Sequence, residues 1–488
     1  MFQKLIIRNQ FISRSAFVLS LALLSSCATG NEIAQPKPQP SDSTKIVATQ
    51  VACWLTSPGS STYLKKQNIA LNFTNASNSY PTIAVDSTSS YQTMDGFGFS
   101  MTGGSAYLIN RLASNTRSDL IREFFSTDST AIGISYLRIS IGASDLNANV
   151  FSYNDINTAS TDTTLQYFDI KPDTYDLIPV LKSALAINPN IKILGSPWSA
   201  PAWMKTNKSP KGGSLKPEYF GVYARYFVKY IQAMKDQGIT IDAITVQNEP
   251  LNPDNNPSMY MSAQDQALFV KNYLGPEFAK ANITTKIILY DHNCDVPTYP
   301  ITILNDPDAR KYSDGSAFHL YGGDISALTT VHNAYPDKNV YFTEQWVGAP
   351  GNFQENLSWH IKNLIIGAPR NWSKNVLEWN LASDTEYNPH TVGGCTTCMG
   401  GLTIGSSITR NVSYYIIAHA SKFVPMGSVR IDSNLATNLP NVAFLTPSGK
   451  KVLIVLNEST LTQTFNIKFK GKAVTHNLAS GSVASYVW

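Results

Sequence analysis

The sequence predicts an α/β fold: a (β/α)8 TIM barrel with an attached β-sandwich built from N- and C-terminal segments. Three observations predict it. Apolar runs of strand length recur between residues 94 and 382, separated by helical or loop segments. Most of these runs are continuous rather than alternating, as strands buried on both faces require. The flanking regions at both ends carry strand-like segments and lack long helices. At 488 residues the chain suits one large barrel plus an accessory module. A doubly wound sheet is the structural alternative, but no Gly-rich phosphate loop follows any of the strands. No internal repeat is present.

The first residues read as a targeting segment. Lys4, Arg8 and Arg14 precede the apolar run AFVLSLALL at 16–24, which is too short to span a bilayer. The run ends in LSSC, with Cys27 behind small residues. This resembles a bacterial lipoprotein signal; a plain secretory signal is the alternative. The resemblance implies a signal peptide at 1–26, lipidation of Cys27 and an outer-membrane location, at the cell surface or on the periplasmic face. Residues 27–46 then form a Pro-rich linker without core-forming residues. Residues 47–93 supply N-terminal strands of the sandwich, among them QNIALNF (67–73) and TIAVD (82–86).

The barrel is expected over 94–409. Its strands are MDGFGFSM (94–101), GISYLRISIG (133–142), IKILGSPWS (191–199) and AITVQNE (243–249). Four more are KIILYDHN (286–293), GSAFHLY (315–321), NVYFTEQW (339–346) and NVLEWNLA (375–382). Between the third and fourth, Tyr223, Tyr226, Phe227, Tyr230, Ile231 and Met234 recur at helical spacing until Gly238 stops the run. Ser262 with Asp265 forms a capping box for the next helix. Residues 410–488 complete the sandwich. There a helix-like stretch at 411–423 leads into a hairpin, VAFLTPSGKKVLIVLN (442–457), followed by TFNIKF (464–469) and VASYVW (483–488).

Composition narrows the function. The formal net charge is +4 and no dense Lys/Arg block occurs, so nucleic acid is not an expected partner. Aromatic residues reach 11%, with 8 Trp and 24 Tyr, a balance that suits either a neutral, hydroxyl-rich glycan or core packing. Of the cysteines after Cys27, Cys53 and Cys294 stand alone. Cys395 and Cys398 form one CxxC in a Gly-rich loop, half of a zinc site at most. A local disulfide and two idle thiols both fit that spacing. No metal or cofactor is expected.

In a (β/α)8 barrel catalytic groups sit at the C-terminal ends of the strands. Two carboxylates follow apolar runs directly there, Glu249 on the fourth strand and Glu344 on the seventh. One such Glu is ordinarily a solvated boundary residue. Two of them, three strands apart and ringed by Trp, Asn and His, suit glycosidic cleavage, where one carboxyl protonates the leaving oxygen and the other attacks carbon or activates water. The acid then needs a raised pKa while its partner stays ionised.

The pairing of ITVQNEP (244–250) with YFTEQW (341–346) resembles glycoside hydrolase family 30. So do QTMDGFGFSMT (92–102), YLRISIGASDL (136–146), LGSPWSAPAWMKTN (194–207), FHLYGG (318–323), EWNLA (378–382) and HASKFVPMGSVRI (419–431). The resemblance covers most of 65–488 and implies retaining hydrolysis, with Glu249 as acid/base and Glu344 as nucleophile. It implies that Asn248 binds a sugar 2-hydroxyl and that Arg138 and Tyr321 contact the nucleophile. Asp145, Trp198 and Trp379 would form the sugar pocket, with His319 beside them; Trp346, where the chain departs from the family's pattern, is placed to stack on a sugar. Singly, these residues have blander readings: a buried salt bridge for Arg138, a satisfied core histidine for His319, packing for the tryptophans. The loop GGCTTCMGGLTI (393–404) looks more like the branch that cuts β-1,6-glucan, and Trp379 to Thr409 contains no Lys or Arg to read uronic acids.

The expected protein is therefore a lipid-anchored retaining endo-β-1,6-glucanase acting on a neutral β-glucan or β-glucoside. A β-glucosidase or glucosylceramidase-type exo-hydrolase is the alternative. A non-catalytic glycan-binding lipoprotein and, more distantly, a redox protein built on Cys395 and Cys398 are the rivals from other classes.

Overall fold

The structure, a computed structural model, describes residues 48–488. The signal peptide, Cys27 and the linker lie outside the described residues. Among those described, no helix is long and apolar enough to cross a membrane.

Eight parallel strands close into a barrel. In chain order they are Gly96–Ser100, Tyr136–Ser140, Lys192–Ser196, Ala243–Thr245, Lys286–Cys294, Ser313–Gly323, Asn339–Glu344 and Ser373–Asn380. Each pairs with the next, and the eighth pairs with the first. All eight fall on the expected runs. Side chains along a strand alternate between its two faces, and this places the site. Tyr136, Leu194, Ala243, Ile288, Ala317, Tyr341 and Leu377 form one buried apolar cluster across seven of the strands. Two residues further along, on the same faces, the side chains turn polar: Arg138, Ser196, Thr245, His319 and Thr343. The fifth strand breaks this period. Tyr290 and Asp291 adopt φ of 70° and 69°, and its register with the sixth strand slips between Tyr290 and His292. The slip delivers Asp291 instead of Tyr290 to the polar layer.

Outside the barrel, the helix Phe220–Asp236 buries the six aromatic and aliphatic residues of its periodic face. Gly238 ends the run at φ 79°, a conformation in which a Cβ is disfavoured. Ser262 caps the helix Ala263–Phe269, its Oγ accepting from the Asp265 N–H at 3.1 Å.

The sandwich is built from a nine-stranded sheet combining both termini of the described chain. The sheet folds over itself. Phe465 and Tyr486, on strands five places apart in the hydrogen-bonded order, meet with ring centroids 6.2 Å apart. The expected hairpin is present as Asn441–Leu445 paired with Lys451–Leu456. Its continuous apolar sequence has a physical cause. Phe444, Val452 and Ile454 pack with the barrel core, while Ala443, Leu453 and Val455 enter the sandwich core.

One expected strand is absent. Residues 67–73 join no ladder. Their few backbone bonds, Gln67 N–H to the Cys53 carbonyl and the Gln50 and Val51 N–H groups to the Leu71 carbonyl, alternate with side-chain ones: Thr49 Oγ1 accepts from Leu71 N–H, Gln50 N–H donates to Asn72 Oδ1, and Phe73 N–H donates to Gln50 Oε1. The strands at this edge are instead Ala52–Ser57 and Thr62–Lys66.

Candidate active site

The fourth strand stops at Thr245, short of the expected Glu249. The residues beyond it reach across to neighbouring strand ends. Asn248 N–H donates to the Pro197 carbonyl at 2.8 Å, and Glu249 N–H to the Asp291 carbonyl at 2.9 Å. Glu249 has φ 44°, a left-handed conformation that costs a non-glycine residue roughly 1–2 kcal/mol. The asparagine and proline flanking it therefore mark a departure from the strand, and the carboxylate between them is set at the barrel mouth by that departure.

Glu344 closes the seventh strand. Its Oε2 accepts from Arg138 Nη1 at 2.5 Å and its Oε1 from the Tyr321 hydroxyl at 3.0 Å. Arg138 is fully buried; it also donates to Asn248 Oδ1 at 2.6 Å and to Asp291 Oδ2 at 2.9 Å. Its guanidinium lies 4.7 Å from the centre of the Trp198 ring. An oxygen of Glu249, a ring nitrogen of His319 and an oxygen of Glu344 all lie within 4.8 Å of one another. That approach of the two carboxylates is in keeping with the retaining arrangement, whose carboxyl groups stand about 5–5.5 Å apart.

Asp291, absent from the expected set, is the hub beneath. Oδ2 accepts from Arg138, Ser196 and Thr245, and Oδ1 from Thr343 and the His319 ring. Burial opposes its charge, but Arg138 and His319 outweigh burial and hold its carboxyl well below the usual range. The signal was present in KIILYDHN, where a carboxylate also follows an apolar run. His292, the next residue, lines the cleft; burial lowers its pKa, and its Nδ1 has no hydrogen-bond partner.

His319 bridges the two acids, with Nε2 at 3.1 Å from Asp291 and Nδ1 at 3.2 Å from Glu249. Burial disfavours its charge, but Glu344, Asp291 and Glu249 prevail and push it up to about 9. Burial also pushes Glu249 up, and the His319 hydrogen bond and charge override it, bringing Glu249 to about 2. Glu344 moves the other way: burial raises it against His319 and Arg138. The resting site thus inverts the expected order, because the imidazolium sits nearer Glu249, at 3.2 Å, than Glu344, at 4.0 Å. Hydrogen bonds alone do not separate the two: both Glu344 oxygens face donors, and Glu249 Oε2 likewise accepts from Asn252 Nδ2 at 2.8 Å. What sets Glu344 apart is the permanently charged guanidinium on one of its oxygens, which favours the carboxylate.

Above these groups opens a cleft of about 810 Å³, lined by Asp145, Trp198, Asn248, Tyr321, Trp346 and Trp379 together with both glutamates. The Trp198 and Trp379 rings stack at 5.4 Å and 30°. Burial, and then the charge of Glu344, push Asp145 up to about 7. Cys395 and Cys398 form a disulfide in the cleft wall. Arg138 was expected to contact the nucleophile and His319 to stand with the sugar-binding groups. Both are fully buried beneath the cleft: Arg138 reaches Glu344, and His319 holds carboxylates instead of lining the cleft. Glu249, His319 and Glu344 are also the one group among the described residues with metal-ligand spacing. The Arg138 guanidinium on Glu344 opposes a cation there.

The glycosyl hydrolase family 30 TIM-barrel domain matches residues 94–424, and the β-sandwich domain of the same family matches 427–486. The chain belongs to glycoside hydrolase family 30. It is a retaining glycoside hydrolase. The endo-1,6-β-D-glucanase neg1 of Aspergillus fumigatus is 34% identical, over 83% of this chain and 87% of the relative. The lysosomal acid glucosylceramidase of Mus musculus is 28% identical, over 82% and 81%. The solved endo-β1,6-glucanase BT3312 superimposes with a TM-score of 0.84 at 35% identity, covering 90% of this chain and 99% of that one.

Proposed function

We propose that this family 30 hydrolase is an endo-β-1,6-glucanase working by double displacement, with Glu344 as nucleophile and Glu249 as acid/base. The observation that carries the mechanism is the cradle of Glu344. Two donors hold both its oxygens, and the second carboxylate stands within 4.8 Å. Glu344 attacks the anomeric carbon as Glu249 gives its proton to the leaving oxygen, leaving a glycosyl ester on Glu344. Glu249 then takes a proton from water, which attacks the same carbon from the vacated face and releases product with its configuration retained. The proton that Glu249 needs is at hand. The pair Glu249 carboxylate/His319 imidazolium becomes Glu249 acid/neutral imidazole by one shift along a 3.2 Å contact. Asp145, Asn248, Trp198 and Trp379 surround the sugar being cleaved, and Trp346 offers a face to its neighbour.

A neutral substrate is supported by the cleft wall, which carries no lysine or arginine among the described residues. The β-1,6 linkage is supported by the glucanases to which the chain is similar. One observation favours the exo-acting, glucosylceramidase-type alternative. Loops after the fourth and eighth strands, opposite one another in the barrel, are clasped by Asn256 Nδ2 to the Val392 carbonyl at 2.9 Å and by Thr391 Oγ1 to the Asn256 carbonyl at 2.5 Å. A bridge there closes one side of the mouth, as release of terminal sugars would favour. The deciding experiment is a product profile on β-1,6-, β-1,3- and β-1,4-glucans beside glucosylceramide. A ladder of β-1,6-oligosaccharides is expected. Glucose alone from chain ends, or preference for glucosylceramide, turns the assignment to the alternative.

We further propose that lipidation of Cys27 anchors the enzyme at a bacterial outer membrane. Cys27→Ser should release the protein to soluble fractions or block its maturation, measured by fractionation. Unchanged membrane retention of that variant overturns the anchor.

A further inference from the structure

A second groove, of about 560 Å³, opens beside the cleft on the same face of the barrel. It runs between the helix Gly103–Asn110, which follows the first strand, and the segment around Lys171–Thr174. The ridge between groove and cleft belongs to both. Asp145 and Cys395 face the cleft, while Asn147 and Pro389, from the same two loops, face the groove. Two tyrosines of the groove stand open to water, Tyr107 at 38% and Tyr175 at 62% exposure.

Their frame is rigid. Asn110 Nδ2 donates to the Tyr175 carbonyl and to Asp176 Oδ1, both at 3.0 Å, tying the two walls together. Arg111 Nη1 donates to the Tyr107 carbonyl at 3.0 Å and to Asp176 Oδ1 at 2.7 Å, with its guanidinium 3.4 Å from the Tyr107 ring centre. A platform fixed before binding loses little conformational freedom when a ligand arrives. Arg111 is neutralised by Asp176, so it offers N–H donors without attracting an anion. The guanidinium takes one face of Tyr107; the exposed parts of Tyr107 and Tyr175, an amide, that charge-balanced guanidinium, and Lys171 with Asp173 line the groove, aromatic surface and polar groups that can meet a hydroxyl-rich, uncharged ring.

We propose that this groove binds a second stretch of the same neutral β-glucan that is cleaved across the ridge, with Tyr107 and Tyr175 as stacking platforms. The proposal rests on the β-glucan hydrolase reading of the cleft. A groove beyond the catalytic wall would keep a long chain on the enzyme between cuts, and it would contribute nothing to a substrate of one sugar.

The test uses the full chain carrying Glu344→Gln, run through gels containing soluble β-1,6-glucan. Adding Tyr107→Ala and Tyr175→Ala should raise the glucan concentration for half-retardation by about tenfold, and Tyr107→Phe with Tyr175→Phe should restore retardation. In the active enzyme the two alanine changes should leave kcat/KM for an aryl β-glucoside unchanged. Trp346→Ala in the Glu344→Gln background reports the cleft's own share of retention. Equal retardation with and without the tyrosines, no retardation at all, or a parallel loss on the aryl glucoside each overturns the groove assignment. Failure of the unmodified enzyme to cut β-1,6-glucan is a separate outcome: it removes the catalytic reading, while retardation still judges the groove.

Discussion

Glu344 and Glu249 differ in what an amide would cost them. Glu344→Gln has no nucleophile and should abolish turnover of every substrate. Glu249→Gln removes a proton donor, an aid worth roughly 10²- to 10⁴-fold, so aryl glycosides with good leaving groups should keep most of their kcat/KM, while kcat falls because the water of the second step loses its base. Values of kcat/KM against leaving-group pKa check this, and identical dependence in both variants would mean that the roles are misassigned. His319 sets a second test. In the folded protein it titrates at about 9, above the ordinary 6.5. Its charge therefore supports the site, and the fold, fully below about pH 6.5, and that support is lost as pH rises through about 9. The profile of kcat/KM should fall with an alkaline limb near pH 9, and His319→Asn should remove that limb. An unchanged limb in the variant assigns the ionisation elsewhere. Asp291 carries the lesson of this scale. Glu249 and Glu344 were legible because each ends an apolar run, and Asp291 meets the same description, but only the positive φ of its strand turns it into the barrel.

At the scale of elements, all eight barrel strands were legible because burial on both faces leaves an unbroken apolar run. The segment 67–73 has the alternating pattern of a half-buried strand, yet the side chains of Thr49 and Gln50 take the Leu71 and Phe73 N–H groups, and no ladder forms. Pattern records burial; it does not record which partner takes the hydrogen bonds. The loop 393–404 was half legible. Its CxxC admitted a disulfide without requiring one, and its pairing with the segment after the nucleophile left no local signal. There Val347 and Gly348 pair with Met399 and Cys398, and Ala349 N–H donates to the Thr397 carbonyl at 2.9 Å. Cys395 N–H also reaches Asp145 Oδ2 at 3.3 Å. The disulfide thus braces the wall that carries Asp145 and Trp346. A loop of so few residues stabilises the fold by only about 2 kcal/mol on chain-entropy grounds. Cys395→Ser with Cys398→Ser should therefore leave a folded enzyme, with a lower melting temperature and a raised KM on glucan. Unchanged kinetics would make the bridge an ornament of the loop.

Over the whole molecule, the helix Val412–Ser421 joins barrel to sandwich beside the hairpin that packs on the barrel core. Val412, Ile416 and Ile417 pack in the barrel core, and Ser421 Oγ donates to the Ile132 carbonyl at 2.6 Å. From the same helix His419 reaches two sandwich strands, Nδ1 to Ser485 Oγ and Nε2 to Thr56 Oγ1, both at 2.8 Å. Ser485 Oγ in turn donates to the His419 carbonyl at 2.9 Å. Two hydroxyls can serve a neutral ring, one donating and one accepting, but no carboxylate among the described residues stands there to balance an imidazolium. Burial accordingly pushes His419 down to about 3 from 6.5. The unfolded chain then binds a proton that the folded one refuses, so stability falls as pH drops through 6.5 and goes on falling towards 3. For one such group the slope approaches about 1.4 kcal/mol per pH unit. His419→Gln keeps a donor and an acceptor in place but does not titrate. The variant should be less stable than the unmodified enzyme near neutrality, because the amide fits the two hydroxyls less well, and the gap should narrow as pH falls. Urea midpoints from about pH 6 to about pH 4 read this directly, since only His419 differs between the two proteins. Parallel curves over that range would place the acid sensitivity of the junction on other groups, and His419 would then be a spacer between the two cores.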